Sequence, residues 1–323
     1  MLECTLRRSF VPSELLAKHP PKLRHPLKQL VFELACPPGA VHAGSIEVTR
    51  WAAAPLPKMV DLAPTEVVPI TGHYAYDGGD GVWHVNFADP QLFVAYGSSL
   101  LAQDELQAVE HPLLGSLREA LLAGNLSALT EEALEPTPVL VAGVERRCAL
   151  DTAPDLSAGR LYGLYGNRFA VATPEVVRRA VRVLEPPTKT NLIAIAAPVG
   201  RHGPYWRAQL ERILVTAFTG FSAAVAESRG RWPGAPVEIR TGFWGCGAFG
   251  GNRHAMTLLQ LLAARLAKVD RLRFYAFDDQ GETDFRAGQA DLASVLGPPG
   301  EPLAPLIDRI EDLDYEWGRS DGN

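Results

Sequence analysis

The stretch Thr241-Gly-Phe-Trp-Gly-Cys-Gly-Ala-Phe-Gly-Gly251 constrains this chain more than any other. Before it, Val237 to Arg240 reads as a short strand. After it, His254 to Lys268 reads as a helix with Ala255, Leu258, Leu259, Leu262 and Leu266 on one face. Five glycines in eleven residues let a ligand approach the backbone and let several N–H groups turn toward one point. The loop also delivers that ligand to a helix N-terminus, where unpaired N–H groups and the dipole favour an anion. A phosphate or diphosphate suits it. Gly245, Gly247 and Gly250 spell G-x-G-x-x-G, which alone is a weak pattern, because glycines between strand and helix often serve only the turn. Phe243, Trp244 and Phe249 argue for more. Aromatics are costly on an exposed turn and suit the wall of a pocket for a base or ribose.

Composition narrows the partners. A net charge of −6 argues against a nucleic-acid footprint, which needs clustered Lys and Arg. A small anion still binds through backbone N–H groups. Cys4, Cys36, Cys148 and Cys246 lie far apart without C-x-x-C spacing, which fits neither a zinc site nor a disulfide framework and points to a reducing compartment. No apolar run reaches membrane-spanning length. These features predict a cytoplasmic monomer that neither enters membranes nor binds nucleic acids in general.

Along the chain, Ile46 to Trp51, Val67 to Ile70, Val82 to Ala88, Pro138 to Gly143, Asn191 to Ala197 and Leu272 to Phe277 read as strands. Val82 to Ala88 is expected near the centre of the sheet. Helices are expected near Leu27 to Leu34, over Leu106 to Leu122 with a break at Pro112, and over Pro174 to Leu184, Tyr205 to Glu227 and Leu306 to Leu313. Strands alternate with helices, so the class is α/β with a central sheet. Residues 1–75 read as an N-terminal extension packed on a main domain of residues 76–290, and 291–323 as a tail. Asp104 and Glu105 open a helix, where acidic residues ordinarily complement the dipole. The loop Leu161 to Gly166 carries Tyr162 and Tyr165, either packed on the surface or closing over a ligand.

Several of these stretches converge on one family. Thr241 to Asn252, TGFWGCGAFGGN, resembles the TGNWGCGAFGGD diphosphate loop of poly(ADP-ribose) glycohydrolase catalytic domains. Val85 to Asp89, VNFAD, is similar to that family's V-(D/N)-F-A-N strand end. Phe93 to Gly97, FVAYG, stands where the family has FVGGG, and Gln103-Asp104-Glu105 where it has Q-E-E. Residues Leu192 to Ile195, Ala217 to Phe221 and Phe274 to Asp278 are similar in character. The resemblance spans roughly residues 80–285 and implies a three-layer α/β/α macrodomain fold with a mixed sheet.

It also implies hydrolysis of an O-glycosidic bond of poly- or mono-ADP-ribose, carried by protein or nucleic acid, without metal or other cofactor. Glu105 would be the general acid/base, and Asp104 would bind a ribose hydroxyl or the leaving unit. Asp89, Gly97 and Gln103 would contact substrate. Phe243, Trp244, Gly245, Cys246, Gly247, Ala248, Phe249 and Gly250 would surround the diphosphate. Phe277 and Tyr162 or Tyr165 would flank adenine or the distal ribose. The chain departs from the family at Ala95-Tyr96, Asp104, Asp89 and Phe243. A tyrosine at position 96 is expected to narrow the cleft or replace backbone contacts. That keeps a second reading open, a macrodomain that binds ADP-ribose without cutting it. A dinucleotide-binding oxidoreductase fares worse. Its glycine motif would lie late, with one strand after it, and Asp278-Asp279 lies beyond the usual spacing of about twenty residues for a ribose-binding acid.

Overall fold

The computed structural model describes residues 2–200 and 202–322. In chain order the elements are β1 (Cys4–Phe10), α1 (Pro12–Lys18), α2 (Pro26–Ala35), β2 (Ile46–Trp51), β3 (Glu66–Thr71), β4 (Val82–Ala88), α3 (Gln103–Glu110) and α4 (Leu113–Ala123). There follow the two short strands β5 (Glu131–Glu132) and β6 (Glu135–Pro136), then β7 (Val139–Leu150), α5 (Pro174–Ala180), β8 (Val181–Ala196) and α6 (Arg207–Arg231). The chain closes with β9 (Glu238–Gly242), α7 (Arg253–Leu266), β10 (Arg271–Phe277), α8 (Asp279–Val295) and α9 (Leu303–Glu311).

Among the described residues, eight strands form one mixed sheet in the order β1-β2-β7-β8-β4-β9-β10-β3. The half from β8 to β3 is parallel and the half from β1 to β8 antiparallel. Successive strand residues point to opposite faces, and both faces are covered. Leu140, Ile193 and Ile195 enter a core shared with α6, α7, α8 and α9. Val139, Val141, Leu192 and Ala194 enter a second core with α1 and α4 on the other face. The result is three layers, α/β/α, with β4 central as expected. Among the described residues no helix is long and apolar enough to cross a membrane.

Three sequence expectations change. Residues 1–75 supply strands at both edges of the sheet, β1 and β2 at one and β3 at the other, so this segment is woven into the fold rather than laid on it. The helix expected to Leu184 stops at Ala180, and β8 begins at Val181, ten residues before the expected strand. Its first half pairs with β7 alone, and most of its residues there are solvent-facing, so no apolar pattern marks it. Finally, α8 fills residues 279–295, which had no assigned element, and buries Phe285, Leu292 and Val295 at helical spacing.

Candidate active site

In an open parallel sheet the strand ends and the helix N-termini that follow them face the same way, and a crevice forms there. Here β4, β8, β9 and β10 end together around a cavity of about 540 Å³. Its lining takes Phe87, Ala88 and Asp89 from the end of β4, Ala197 from β8, Phe243 to Phe249 from β9, and Phe277 from β10. The first turn of α3 adds Gln103, Asp104 and Glu105, and the loop before α5 adds Tyr162 and Tyr165.

The glycine loop folds on itself. Cys246 N–H donates to Phe243 O (3.0 Å), Gly250 N–H to Gly247 O (3.0 Å) and Gly251 N–H to Gly245 O (2.8 Å). Gly247, Ala248 and Phe249 line the cavity, and the Asp321 carboxylate comes close to Gly247, its Oδ2 3.2 Å from where a Cβ would stand. Consecutive backbone amides in a glycine-rich turn before a helix are the kind of element that binds an anion. Asn252 then caps α7, its side chain accepting from His254 N–H (2.9 Å) and Ala255 N–H (3.1 Å). Gly245 has φ +76°, and a Cβ there would stand 2.5 Å from the Cβ of Ala197. Gly39 has a similar φ of +83° with open space around it. Gly245→Ala is therefore expected to lower stability by about 1–3 kcal/mol, and Gly39→Ala only by the smaller backbone term. Urea denaturation of both variants checks this. Equal losses would show that the contact with Ala197 contributes nothing.

The acidic pair is held from two sides. Glu105 is buried, and its Oε2 accepts the N–H of Ala102 (3.0 Å) at the start of its own helix. Asp104 is buried and accepts from Asn86 Nδ2 (2.9 Å), which also donates to Gln107 Oε1 (2.7 Å). Burial raises both carboxyl pKa values above their ordinary range, and for Asp104 the charge of Glu105 adds to the effect. The charge of Lys28 opposes the rise at both. Two buried carboxyls this close resist ionising together. Asp89 borders the same cavity, with Oδ1 accepting from Gln91 N–H (2.8 Å).

Several residues expected at a ligand make hydrogen bonds within the protein. Gln103 lines the cavity, but its side-chain polar atoms bind β4 and its neighbour: Oε1 accepts Phe87 N–H (2.8 Å), and Nε2 donates to Val85 O (3.0 Å) and Tyr76 Oη (3.3 Å). It splices α3 onto the strand. Trp244 is a buried strut whose indole N–H donates to Ile195 O (3.0 Å). Gly97 lies outside the lining. Its carbonyl accepts from Arg24 N–H (3.0 Å) and His25 N–H (3.1 Å), and a Cβ would meet Lys22 O at 2.4 Å. Gly250 also lies outside, with φ +63° beneath residues 318–320. Tyr96 does not narrow the cleft. It is buried away from the cavity, its hydroxyl donating to Glu119 (2.9 Å) and accepting from Lys22 N–H (2.6 Å).

Phe277 is shown off at the rim. It ends β10 at φ +69°, a strained conformation for a bulky side chain, and Gly72 N–H holds its carbonyl (2.8 Å). Tyr162 and Tyr165 are exposed at the cavity margin, with the Arg168 guanidinium 5.6 Å from the Tyr162 ring centre. The sequence reading missed Asn86, Tyr74, Arg253 and Lys28. Tyr74 lines the cavity and stacks on Tyr275, ring centres 4.3 Å apart. Arg253 lies over the Phe243 ring at 4.7 Å and pairs with Asp284 at 2.9 Å. Asn86 lay within the quoted VNFAD segment, and an amide on a central strand beside a helical acid pair was the available signal.

Residues 161–284 match the family model for poly(ADP-ribose) glycohydrolase (PARG), macro domain fold. That segment, a little over a third of the chain, is what resembles a PARG catalytic domain. The matched residues include β8, β9, the glycine loop and β10, whose ends build one wall of the cavity. Solved structures similar to this chain include the PARG of Thermomonospora curvata, at 17% identity over 87% of this chain and 85% of that one, with a TM-score of 0.41. The same protein bound to the inhibitor ADP-HPD gives 16% over 87% and 84%, at 0.40. The PARG of Deinococcus radiodurans in complex with ADP-ribose gives 15% over 90% and 95%, at 0.39. The acidic pair on α3 precedes the matched segment, while Tyr162, Tyr165, the glycine loop and Phe277 fall within it.

Proposed function

We propose that this protein is an ADP-ribosyl glycohydrolase, cutting the O-glycosidic bond of poly- or mono-ADP-ribose with Glu105 as general acid/base. One observation carries the reading: a buried acidic pair at a helix N-terminus shares one cavity with a glycine-rich loop at the entrance to another helix. A diphosphate on Gly247, Ala248 and Phe249 would place its attached ribose within the same cavity as α3. Phe277 and the tyrosines at the rim offer faces for the base or distal ribose.

Departure of the glycosidic oxygen leaves an oxocarbenium-like centre. Glu105, its pKa raised by burial, would give its proton to the leaving oxygen, and the resulting carboxylate would take a proton from the incoming water. The charge shared with Asp104 would stabilise the sugar cation, and Asp104 and Asp89 would hold ribose hydroxyls. The altered Ala95-Tyr96 loop and Asp104 are the departures that favour a binding module; Tyr96 lies away from the cavity, which supports the enzyme, while Asp104 stays within it. The test is release of ADP-ribose from poly- and mono-ADP-ribosylated proteins, with affinity for free ADP-ribose measured alongside. Binding without release on every substrate would leave the reader alternative. No binding would remove both.

A further inference from the structure

The segment after α9 turns back to the cavity, and nothing in the mechanism uses it. Trp317 is its anchor. The Trp317 ring stacks on Tyr205, centres 4.0 Å apart, and its backbone N–H donates to Gly203 O (3.0 Å). Tyr205 Oη in turn accepts the N–H of Asn252 (2.9 Å), the residue that caps α7. Asn252 Nδ2 donates to Glu316 O (3.0 Å). The segment is thereby fastened to the exit of the glycine loop, and beyond Trp317 it runs along that loop. A Cβ on Gly250 would stand 3.1 Å from Ser320 N, and Asp321 N–H donates to Gly247 O at 3.4 Å. The Asp321 side chain lines the cavity beside Gly247. Gly322 O then accepts from Asn167 Nδ2 (2.8 Å), in the loop that brings Tyr165 and Arg168 to the cavity. Residues 318–322 thus bridge the glycine loop and the tyrosine loop. All five are exposed, so surface hydrogen bonds hold them rather than buried apolar area.

We propose that residues 318–322 form a self-inhibitory strap, with the Asp321 carboxylate standing where the diphosphate of a ligand would meet the glycine loop. The proposal deepens the glycohydrolase reading and rests on it for the chemical class of the ligand. Two negative groups on one glycine turn repel each other, so a diphosphate has to move Asp321 aside. Trp317, held by its stacking on Tyr205, is the fixed end from which the strap swings. A site that is open only part of the time binds more weakly in proportion to that fraction. The strap therefore sets the affinity of the site, and loosening it raises that affinity without any new contact to the ligand.

Two variants and a protease test this on the full chain. Asp321→Asn keeps the size of the side chain and removes its charge. Its Kd for ADP-ribose is expected to fall about tenfold, while adenosine, which carries no phosphate, binds both proteins alike. Asn167→Ala leaves Asp321 in place and removes the hold on Gly322, so the Kd for ADP-ribose should fall about two- to threefold. Trypsin reads the strap directly, because Arg319 lies within it. Saturating ADP-ribose should speed cleavage after Arg319 by about fivefold, and unliganded Asn167→Ala should be cut faster than the wild type. A Kd unchanged in both variants would overturn the proposal. So would cleavage that ADP-ribose slows, the result expected of a lid that closes over its ligand. Inorganic pyrophosphate separates the strap from the glycohydrolase reading. If pyrophosphate speeds the cut and binds Asp321→Asn more tightly while ADP-ribose does neither, the strap stands and the glycohydrolase reading falls. If neither compound binds either protein, both fall.

Discussion

Replacing Glu105 by glutamine is expected to slow ADP-ribose release by about 10²–10⁴-fold while changing the affinity for free ADP-ribose by less than about threefold. The amide keeps an oxygen for the Ala102 N–H that holds the carboxyl in place, so the first turn of α3 should stay as it is. It has no proton to give at the pH of the reaction. The effect therefore belongs to the transition state, and it should appear in kcat and kcat/KM together. Free ADP-ribose asks nothing of a general acid, and the glycine loop that would hold its diphosphate is on another element. Release assays on poly- and mono-ADP-ribosylated protein, with calorimetry on wild type and variant, separate the two effects. A variant that keeps more than about a tenth of the rate would remove Glu105 from the role of acid, since that is less than the smallest loss such a group ordinarily causes. The pH dependence follows from the raised pKa of Glu105. Its proton is present below that pKa and lost as pH rises through it, so the wild type should show an alkaline limb displaced upward from the ordinary carboxyl range.

The parts of this site that the sequence disclosed are local ones. A strand, a glycine-rich turn and a helix within thirty residues carry their own pattern, and β9, the loop and α7 were legible from it. The acidic pair was legible because adjacent carboxylates at a helix start are easy to see, although their burial was not. Contacts made across the chain gave no such signal. Lys28 precedes Glu105 by many residues and sits in a stretch rich in proline and basic residues, which reads as a solvated extension. Only the packing of α2 against the loop that carries Ala95 and Tyr96 turns it into a buried cation. Tyr96 shows the opposite error. Its place beside the cleft was legible, but its direction depended on Glu119 and Lys22, residues on α4 and in the N-terminal segment. The first half of β8 was hidden because its apolar content is low and it pairs on one side only, so neither periodicity nor composition separates it from the helix before it.

The second large effect concerns acid stability. His84 on β4 and His111 after α3 are fully buried, each against the Tyr76 ring at 5.5 and 5.7 Å between centres. His84 Nε2 is 3.0 Å from Asp77 O, and His111 Nδ1 is 2.7 Å from Gln107 O, so each ring has one protein partner, as a neutral donor. Burial holds each pKa down to about 3, with Arg146 and the other histidine adding repulsion at His111. A depressed folded-state pKa stabilises fully above the unfolded value, near 6.5, and that stability is lost as pH falls toward about 3. Each histidine should thus cost about 2 kcal/mol between pH 6.5 and 5, where the unfolded chain takes a proton that the folded one refuses. Asp104, Glu105 and Glu110 act in the opposite sense, because their raised pKa values let the folded state gain protons over part of that range. The wild-type slope alone therefore mixes the two. The variant His84→Gln with His111→Asn separates them, since each amide can donate to the same carbonyl and neither titrates. Its stability at pH 8 should be no higher than that of the wild type. Its dependence on pH between 5 and 6.5 should be flatter by about 2 kcal/mol per pH unit, since each histidine removed no longer takes up between half a proton and one proton on unfolding. Urea unfolding at several pH values measures the difference. Parallel curves for the two proteins would mean that water or a neighbouring group already lets both rings protonate inside the fold.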